Sequence, residues 1–128
     1  MPAPTVQLAF FKLNVSDMDA MLQFYTKAFG FAVTMSFDEP EFLEHIMGLP
    51  GLETGPNLLL VAYKDGRTIT LGNGHGPVGF TVTDMDSAFA AAMDAGASVV
   101  LEPFAMGSAR VAMLKDPEGH EIELVQFG

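Results

Sequence analysis

The sequence predicts an α+β fold in which two tandem β-α-β-β-β modules form a cup-shaped mixed sheet. Three observations support this prediction: an internal repeat, a strand-helix pattern common to both copies, and predicted strands after each helix. LNVSDMDAMLQFYTKAFG, which begins at Leu13, aligns with FTVTDMDSAFAAAMDAG, which begins at Phe80, at a spacing of 67 residues. Repeats of this kind fix an architecture. We therefore expect residues 1–128 to form a single domain, with module one at about 7–72 and module two at about 76–127.

Each copy of the repeat predicts a short strand followed by a helix. Asp17 and Asp84 follow the predicted strands and are typical helix N-cap residues. Gly30 and Gly96 lie where a left-handed C-cap belongs. Between these caps, apolar residues recur at helical spacing, which predicts one amphipathic helix in each module.

Strands are predicted after each helix. After the first helix they are 31–37, 57–63 and 67–72, and after the second they are 97–103, 109–115 and 120–127. Asp65-Gly66 is a strong hairpin signal between two of these strands. We expect the Pro- and Gly-rich segment before residue 57 to hold a short helix at 40–47 and a loop, and GNGHG, 72–76, to link the modules.

Composition and charge restrict the classes of partner. The chain is 49% hydrophobic and has no cysteine, which excludes disulfides, thiolate metal sites and Cys nucleophiles. No apolar run approaches the roughly 20 residues of a membrane-spanning helix, and the start lacks signal-peptide features, so we expect a cytoplasmic protein that does not bind membranes. A net charge of −10 argues against nucleic-acid binding, because such a surface repels phosphate backbones.

Part of the negative charge lies in one segment. Its acidic residues are Asp38, Glu39, Glu41, Glu44 and Glu53. Charge clusters of this kind usually lie on a hydrated surface, so we interpret this one as a solvated acidic face.

Residues 8–127 resemble the vicinal-oxygen-chelate superfamily, which includes glyoxalase I, bleomycin-resistance proteins and extradiol dioxygenases. The resemblance rests on the paired modules, on V-x-D-M-D…FY-x-x-x-FGF in the first module, and on DP-E-G-x-x-IEL near the C-terminus. TLGNGHGPVGFTV is most similar to the short glyoxalase I-like proteins. The fold supports several chemistries, so the resemblance implies a fold more strongly than a reaction.

The resemblance also implies four metal-ligand positions, on the first and last strand of each module. They fall on Phe10, Leu59, Pro77 and Glu123. Only Glu123 has a side chain that can bind a divalent metal. We therefore expect no bound metal of the family type. The alternative is a relocated site for Ni, Zn, Mn or Fe that uses His75 with Glu123.

A cup without a metal would have a mostly apolar lining, as small-molecule pockets do. Strand parity places Lys12 and Asn14 on the same face as Phe10, and the penultimate strand contributes Met113 or Arg110, depending on register. Asn14 stands where the resemblance implies an Arg that holds a glutathione carboxylate, which counts against a glutathione conjugate. The predicted ligand-binding residues are Phe10, Lys12, Asn14, Leu59, Val61, Tyr63, Pro77, Met113 and Arg110.

Two functions remain open. The first is a bleomycin-resistance-like protein that binds a small, largely apolar molecule in the cup without chemistry. The second is a lactoylglutathione-lyase-like lyase or isomerase that uses a relocated divalent metal, or Glu123 as the general base. An extradiol dioxygenase fits poorly, because the resemblance implies two His ligands where this chain has Phe10 and Pro77. Family members of this length pair as homodimers, so we expect a homodimer whose cups are completed across the interface.

Overall fold

A computed structural model describes residues 5–52 and 54–128 as two β-α-β-β-β modules. Module one contains β1 (Phe10–Asn14), α1 (Met18–Phe29), β2 (Ala32–Asp38), β3 (Phe42–Gly48) and β4 (Asn57–Tyr63). Module two contains β5 (Val78–Thr81), α2 (Met85–Ala95), β6 (Ser98–Met106), β7 (Ala109–Lys115) and β8 (Glu121–Gln126). This confirms the predicted α+β fold with tandem modules.

The two modules have the same sheet topology. The strand orders are β1-β4-β3-β2 and β5-β8-β7-β6. In each sheet the first strand of the module is parallel to the last, and the remaining pairs are antiparallel. Both sheets are therefore mixed, and β1 and β5 are edge strands of separate sheets.

The predicted helix caps are confirmed. The Asp17 carboxylate accepts a hydrogen bond from the Ala20 amide at 3.1 Å, and the Asp84 carboxylate accepts one from the Ser87 amide at 3.4 Å. Gly30 ends α1 with φ 81°, in the left-handed region that residues with a Cβ avoid. These contacts satisfy backbone groups at helix ends that would otherwise have no partner.

Two predicted elements of module one are wrong. The segment 40–47, predicted as a helix, forms most of strand β3, which pairs with β2 and β4. Its apolar residues at 42, 43, 46 and 47 suit a helix equally well, and strand pairing decides between the two. The segment 67–72 is not a strand. Because β1 and β3 already pair with the two edges of β4, no edge is left for a hairpin partner.

The helices and the inner faces of both sheets share one hydrophobic core. The largest fully buried side chains come from both modules and include Phe24, Tyr25, Met47, Leu114 and Ile122. The rings of Phe29 and Phe80 pack across the modules with centroids 4.6 Å apart. Burial of this apolar surface is the main contribution to stability. The opposite face of each sheet is turned away from this core.

A buried carboxylate organises the turn between β7 and β8. Asp116 is 3% exposed. Its Oδ2 accepts a hydrogen bond from the Tyr25 hydroxyl at 2.7 Å, and its Oδ1 accepts bonds from the amides of Glu118 and His120 at 2.9 and 3.0 Å. Burial raises the pKa of Asp116, and burial together with the adjacent carboxylate raises the pKa of the Tyr25 phenol. The phenol is therefore the hydrogen-bond donor of the pair.

The same turn contacts the start of α1. The Glu118 carboxylate accepts hydrogen bonds from the amides of Ser16 and Asp17, each at 2.7 Å. The His120 ring Nε2 lies 2.9 Å from the carbonyl oxygen of Asn14. The DPEG turn of module two thus binds the junction between β1 and α1 of module one.

The substitution Tyr25→Phe tests this turn. It removes the donor to Asp116 and leaves a buried oxygen without that bond, so we expect the free energy of unfolding to fall by about 1–3 kcal/mol. Tyr63→Phe is the matched control, because the half-buried Tyr63 hydroxyl makes no hydrogen bond to the described residues. Urea denaturation measures both variants. An equal loss in the two would contradict the assigned role of Tyr25.

Candidate functional site

The face of sheet one that is turned away from the helices carries most of the predicted ligand-binding residues. Leu13 and Leu60 are register partners and both lie in the core. The neighbouring partners Lys12 and Leu59 must therefore lie on the opposite face, because side chains alternate along a strand. We call this surface of module one the open face.

The register arranges the open face in rows across the sheet. One row contains Asn14, Val61, Glu44 and Phe37, and the next contains Lys12, Leu59, Ile46 and Met35. Phe10 and Tyr63 extend the same face by one row at either end. The structure therefore brings together the six predicted residues of module one, namely Phe10, Lys12, Asn14, Leu59, Val61 and Tyr63.

The residues predicted in module two divide between the two faces of sheet two. Glu123 is the register partner of Gly79 and Met113, and its sequence neighbours Ile122 and Leu124 lie in the core. Glu123 and Met113 therefore lie together on the outer face. The register places Arg110 on the helix side, with its Nη2 3.3 Å from Asp86 Oδ1 on α2. Of the two alternatives on β7, only Met113 faces outward beside Glu123.

His75 and Pro77 lie by two cavities near the edge strands. A cavity of about 620 Å³ between the modules is lined by Lys12, Asn14, His75 and Glu121, among others. Glu123 is not among its lining residues. Pro77 lines a larger, mainly apolar cavity of about 900 Å³ between β1, β5 and the helices. His75 thus shares a cavity with Glu121 rather than with Glu123.

The donor groups of the described residues do not form the family's metal site. No group of three or more His, Asp or Glu side chains that could hold a metal ion occurs within 5–52 and 54–128. The His45 ring lies 2.6 Å from the Ser36 hydroxyl, the His120 ring contacts a backbone carbonyl, and His75 is exposed. The resemblance aligns Phe10, Leu59 and Pro77 with three of the four metal-ligand positions, and these apolar side chains offer no atom that binds a divalent metal.

Glu44 is the site residue that the sequence analysis missed. It was assigned to the solvated acidic face, but it is only 8% exposed, at the centre of the open face. That part of the prediction is wrong because residues 42–48 form a strand rather than a helix. If FLEHIMG had been recognised as a strand, alternation of its side chains would have placed Glu44 on the same face as Ile46. Glu53 of the same acidic cluster lies outside the described residues.

The Glu44 carboxylate is close to one cation. Lys12 Nζ lies 2.9 Å from Glu44 Oε2, and the Lys12 side chain is 42% exposed. The contact does not have the angles of a hydrogen bond, and Oε2 has no hydrogen-bond partner in the described part of the chain. Lys12 Nζ also lies 5.4 Å from the centroid of the Phe10 ring. The open face thus combines apolar side chains with one charged pair.

Comparison with known proteins places this fold in a family. The family model for the glyoxalase/bleomycin resistance protein/dioxygenase superfamily matches residues 7–124, and the chain belongs to that superfamily. A probable lactoylglutathione lyase of Synechocystis is 34% identical over 119 residues, which cover 89% of this chain and 90% of the relative. No helix in the described segments is long and apolar enough to cross a membrane.

Two longer plant proteins also resemble the chain. A putative lactoylglutathione lyase of Brassica oleracea is 32% identical over 120 residues, covering 90% of this chain and 42% of that protein. The crystal structure of an E144Q mutant of maize glyoxalase I superposes with a TM-score of 0.84 at 22% identity, covering 93% of this chain and 46% of the maize chain. The chain therefore spans less than half the length of these two proteins, and the maize structure supports the fold alone.

The substitution Lys12→Met tests the charged pair on the open face. It leaves a carboxylate 90% buried without its cation, so we expect the free energy of unfolding to fall by about 1–2 kcal/mol, less than for a fully buried pair because Lys12 is partly hydrated. Lys64→Met is the matched control. Lys64 is 43% exposed, but its partner Asp38 is 72% exposed, so we expect almost no change. Urea denaturation measures both variants. An equal loss of stability in the two would contradict the prediction that the ion pair of the buried Glu44 contributes more than an exposed pair.

Proposed function

We propose that this protein binds a small, largely apolar molecule in a cup formed by the outer sheet faces, without the metal of the family. The observation that supports the proposal is the apolar character of these faces. Large hydrophobic side chains remain 36–58% exposed there, namely Phe10, Met35, Phe37, Leu101, Phe104 and Met106. Exposed apolar clusters of this size mark interaction or ligand sites. We place this function in the cytoplasm, as expected from the sequence.

A homodimer is part of the proposal. In one chain the outer face of each sheet leaves large apolar side chains exposed on its edge strands, whereas a cup requires a second surface opposite it. A second copy would supply that surface and bury the apolar side chains that one chain leaves exposed.

Size-exclusion chromatography with light scattering tests the dimer. We expect a mass of twice the 13.7 kDa of the chain at micromolar concentration. Replacing Phe104 on the outer face with Glu should shift the mass toward that of the monomer, because it would bury a charge in the interface. Replacing the exposed Leu71, which lies outside every strand and helix, with Glu should not. A wild-type monomer would refute the proposed assembly.

A second candidate function is that of a lactoylglutathione-lyase-like lyase or isomerase. The names of the Synechocystis and Brassica relatives favour it, as does Glu123, which matches a ligand position of the family and lies on the outer face of sheet two. In this reading Glu123 acts as the base, or Glu123 and His75 hold a relocated divalent metal. Glu123 and His75 line no common cavity among those described above, so this function requires a rearrangement or a partner subunit.

Metal content and turnover distinguish the two functions. The proposal predicts no stoichiometric metal by elemental mass spectrometry, either as purified or after exposure to Ni, Zn, Mn or Fe, and no turnover of a hemithioacetal. Turnover that falls about 10²-fold or more in Glu123→Gln, but not in Glu121→Gln on the same strand, would overturn the proposal in favour of the second function. If no metal and no turnover are found, ligand screening by melting temperature should identify apolar binders.

A further inference from the structure

The cavity of about 900 Å³ lies between β1, β5 and the helices, and both modules contribute to its lining. Its residues come mainly from the end of α1, the start of α2 and the edge strands β1 and β5. The central residues of the open face, namely Lys12, Glu44, Leu59 and Val61, do not line it. Cavities of this size hold drug-sized organic molecules. This cavity is therefore a candidate binding site separate from the open face.

A ligand can reach this cavity, because part of its lining is exposed to solvent. Leu8 is 77% exposed, Leu52 63% and Phe11 40%. Phe31 and Leu58 also line the cavity and are almost fully buried. The cavity thus extends from the surface of the protein to the edge of the hydrophobic core.

Aromatic rings from both modules line the cavity. Phe11, Phe29 and Phe31 belong to module one, and Phe80 belongs to module two. The Phe80 ring centroid lies 4.6 Å from that of Phe29 and 5.8 Å from that of Phe31. Rings that pack on one another in this way present an apolar surface that suits an apolar or aromatic ligand.

The charge at this cavity is negative. Among the described residues that line it, Asp84 is the only charged one. The Ser87 hydroxyl donates to Asp84 Oδ2 at 2.9 Å, and hydrogen bonds from Ser87 lower the pKa of Asp84, so the carboxylate is ionised at neutral pH. A carboxylate can accept about four hydrogen bonds, so Asp84 can accept more. Together with the net charge of −10, this carboxylate disfavours an anionic ligand and favours a cationic one.

We propose that this cavity is a second binding site, for organic cations that carry an ammonium group on an apolar or aromatic body. The body packs against Phe29 and Phe80, and the ammonium group donates to the exposed carboxylate of Asp84. This site takes a different class of ligand from the cup of the proposed function. It neither requires that function nor follows from it.

Three probes with one apolar body and different charges test the site. Phenylbutylamine is cationic, phenylbutanol is neutral and phenylbutanoate is anionic. Titration of methyl-labelled protein, followed by NMR at Val78 and Val82, gives a dissociation constant for each probe, because both residues line the cavity. We expect the amine to bind about three- to fivefold more tightly than the alcohol, and the acid to bind most weakly. The preference is small because the ion pair is exposed and the positive end of α2 opposes a cation.

Two variants with matched controls assign the binding to the cavity. Asp84→Asn removes the charge but keeps a good N-cap residue, so the preference for the amine over the alcohol should be lost. Asp17→Asn changes the matching cap of α1, which does not line the cavity, and should keep the preference. Ala88→Leu fills part of the cavity and should weaken all three probes by about tenfold. Ala90→Leu, at an exposed position of the same helix, should not.

The outcomes separate this inference from the proposed function. Shifts at Val61 on the open face without shifts at Val78 and Val82 would place the probes in the cup, so the inference would fail while the proposed function stands. Equal affinity for the three probes, a preference that survives in Asp84→Asn, or unchanged affinity in Ala88→Leu would also overturn the inference. A change of mass by light scattering in Ala88→Leu alone would show that a second copy occupies the cavity, and would overturn it as well.

Discussion

The hydrogen bond between the Tyr25 hydroxyl and the Asp116 carboxylate fixes the relation between the two modules. It joins the centre of α1 to the turn between β7 and β8, and the same turn supplies Glu118 to the start of α1. This turn lies against the core that the helices and inner sheet faces share. The outer faces, which carry most of the candidate binding residues, are the opposite sides of the same two sheets. Because the contact is buried, removing either partner would leave the other polar group without a hydrogen bond and lower the stability of the fold.

The candidate site combines apolar side chains with few polar groups. At three of the four positions where the resemblance implies metal ligands the side chains are apolar, namely Phe10, Leu59 and Pro77, and the outer sheet faces carry exposed apolar side chains as well. One charged pair remains on the open face, formed by Lys12 and Glu44. A surface of this composition can recognise a ligand by shape and by a small number of polar contacts. Such recognition needs neither a strongly charged ligand nor a metal, in keeping with the scarcity of basic residues in the chain.

The sequence was sufficient for the repeat, the helices with their caps, and most strands, because these depend on local signals such as Asp17 and Gly30. It was not sufficient for β3, since the apolar spacing of 42–47 suits a helix as well as a strand and only pairing with β2 and β4 decides. The error extended to the site: with β3 unrecognised, Glu44 was placed in solvent. The face occupied by Arg110 likewise depends on sheet register, which strand parity alone does not determine.

The two copies of the repeat share a fold and each helix has an Asp N-cap from its own module, yet they differ in which module supplies a second side-chain acceptor at the helix start. The first amide of α2, that of Met85, donates to the side chain of Gln126, which belongs to the same module. The amides of Ser16 and Asp17 before α1 instead donate to Glu118 of the other module. If the chain were cut in the linker, the second half would retain the contact between Met85 and Gln126. The first half would lose the contacts with Glu118 and the hydrogen bond from Tyr25 to Asp116. The amides that precede α1 therefore depend on the other module for a side-chain acceptor, whereas the first amide of α2 does not, and a symmetric repeat has become an asymmetric pair.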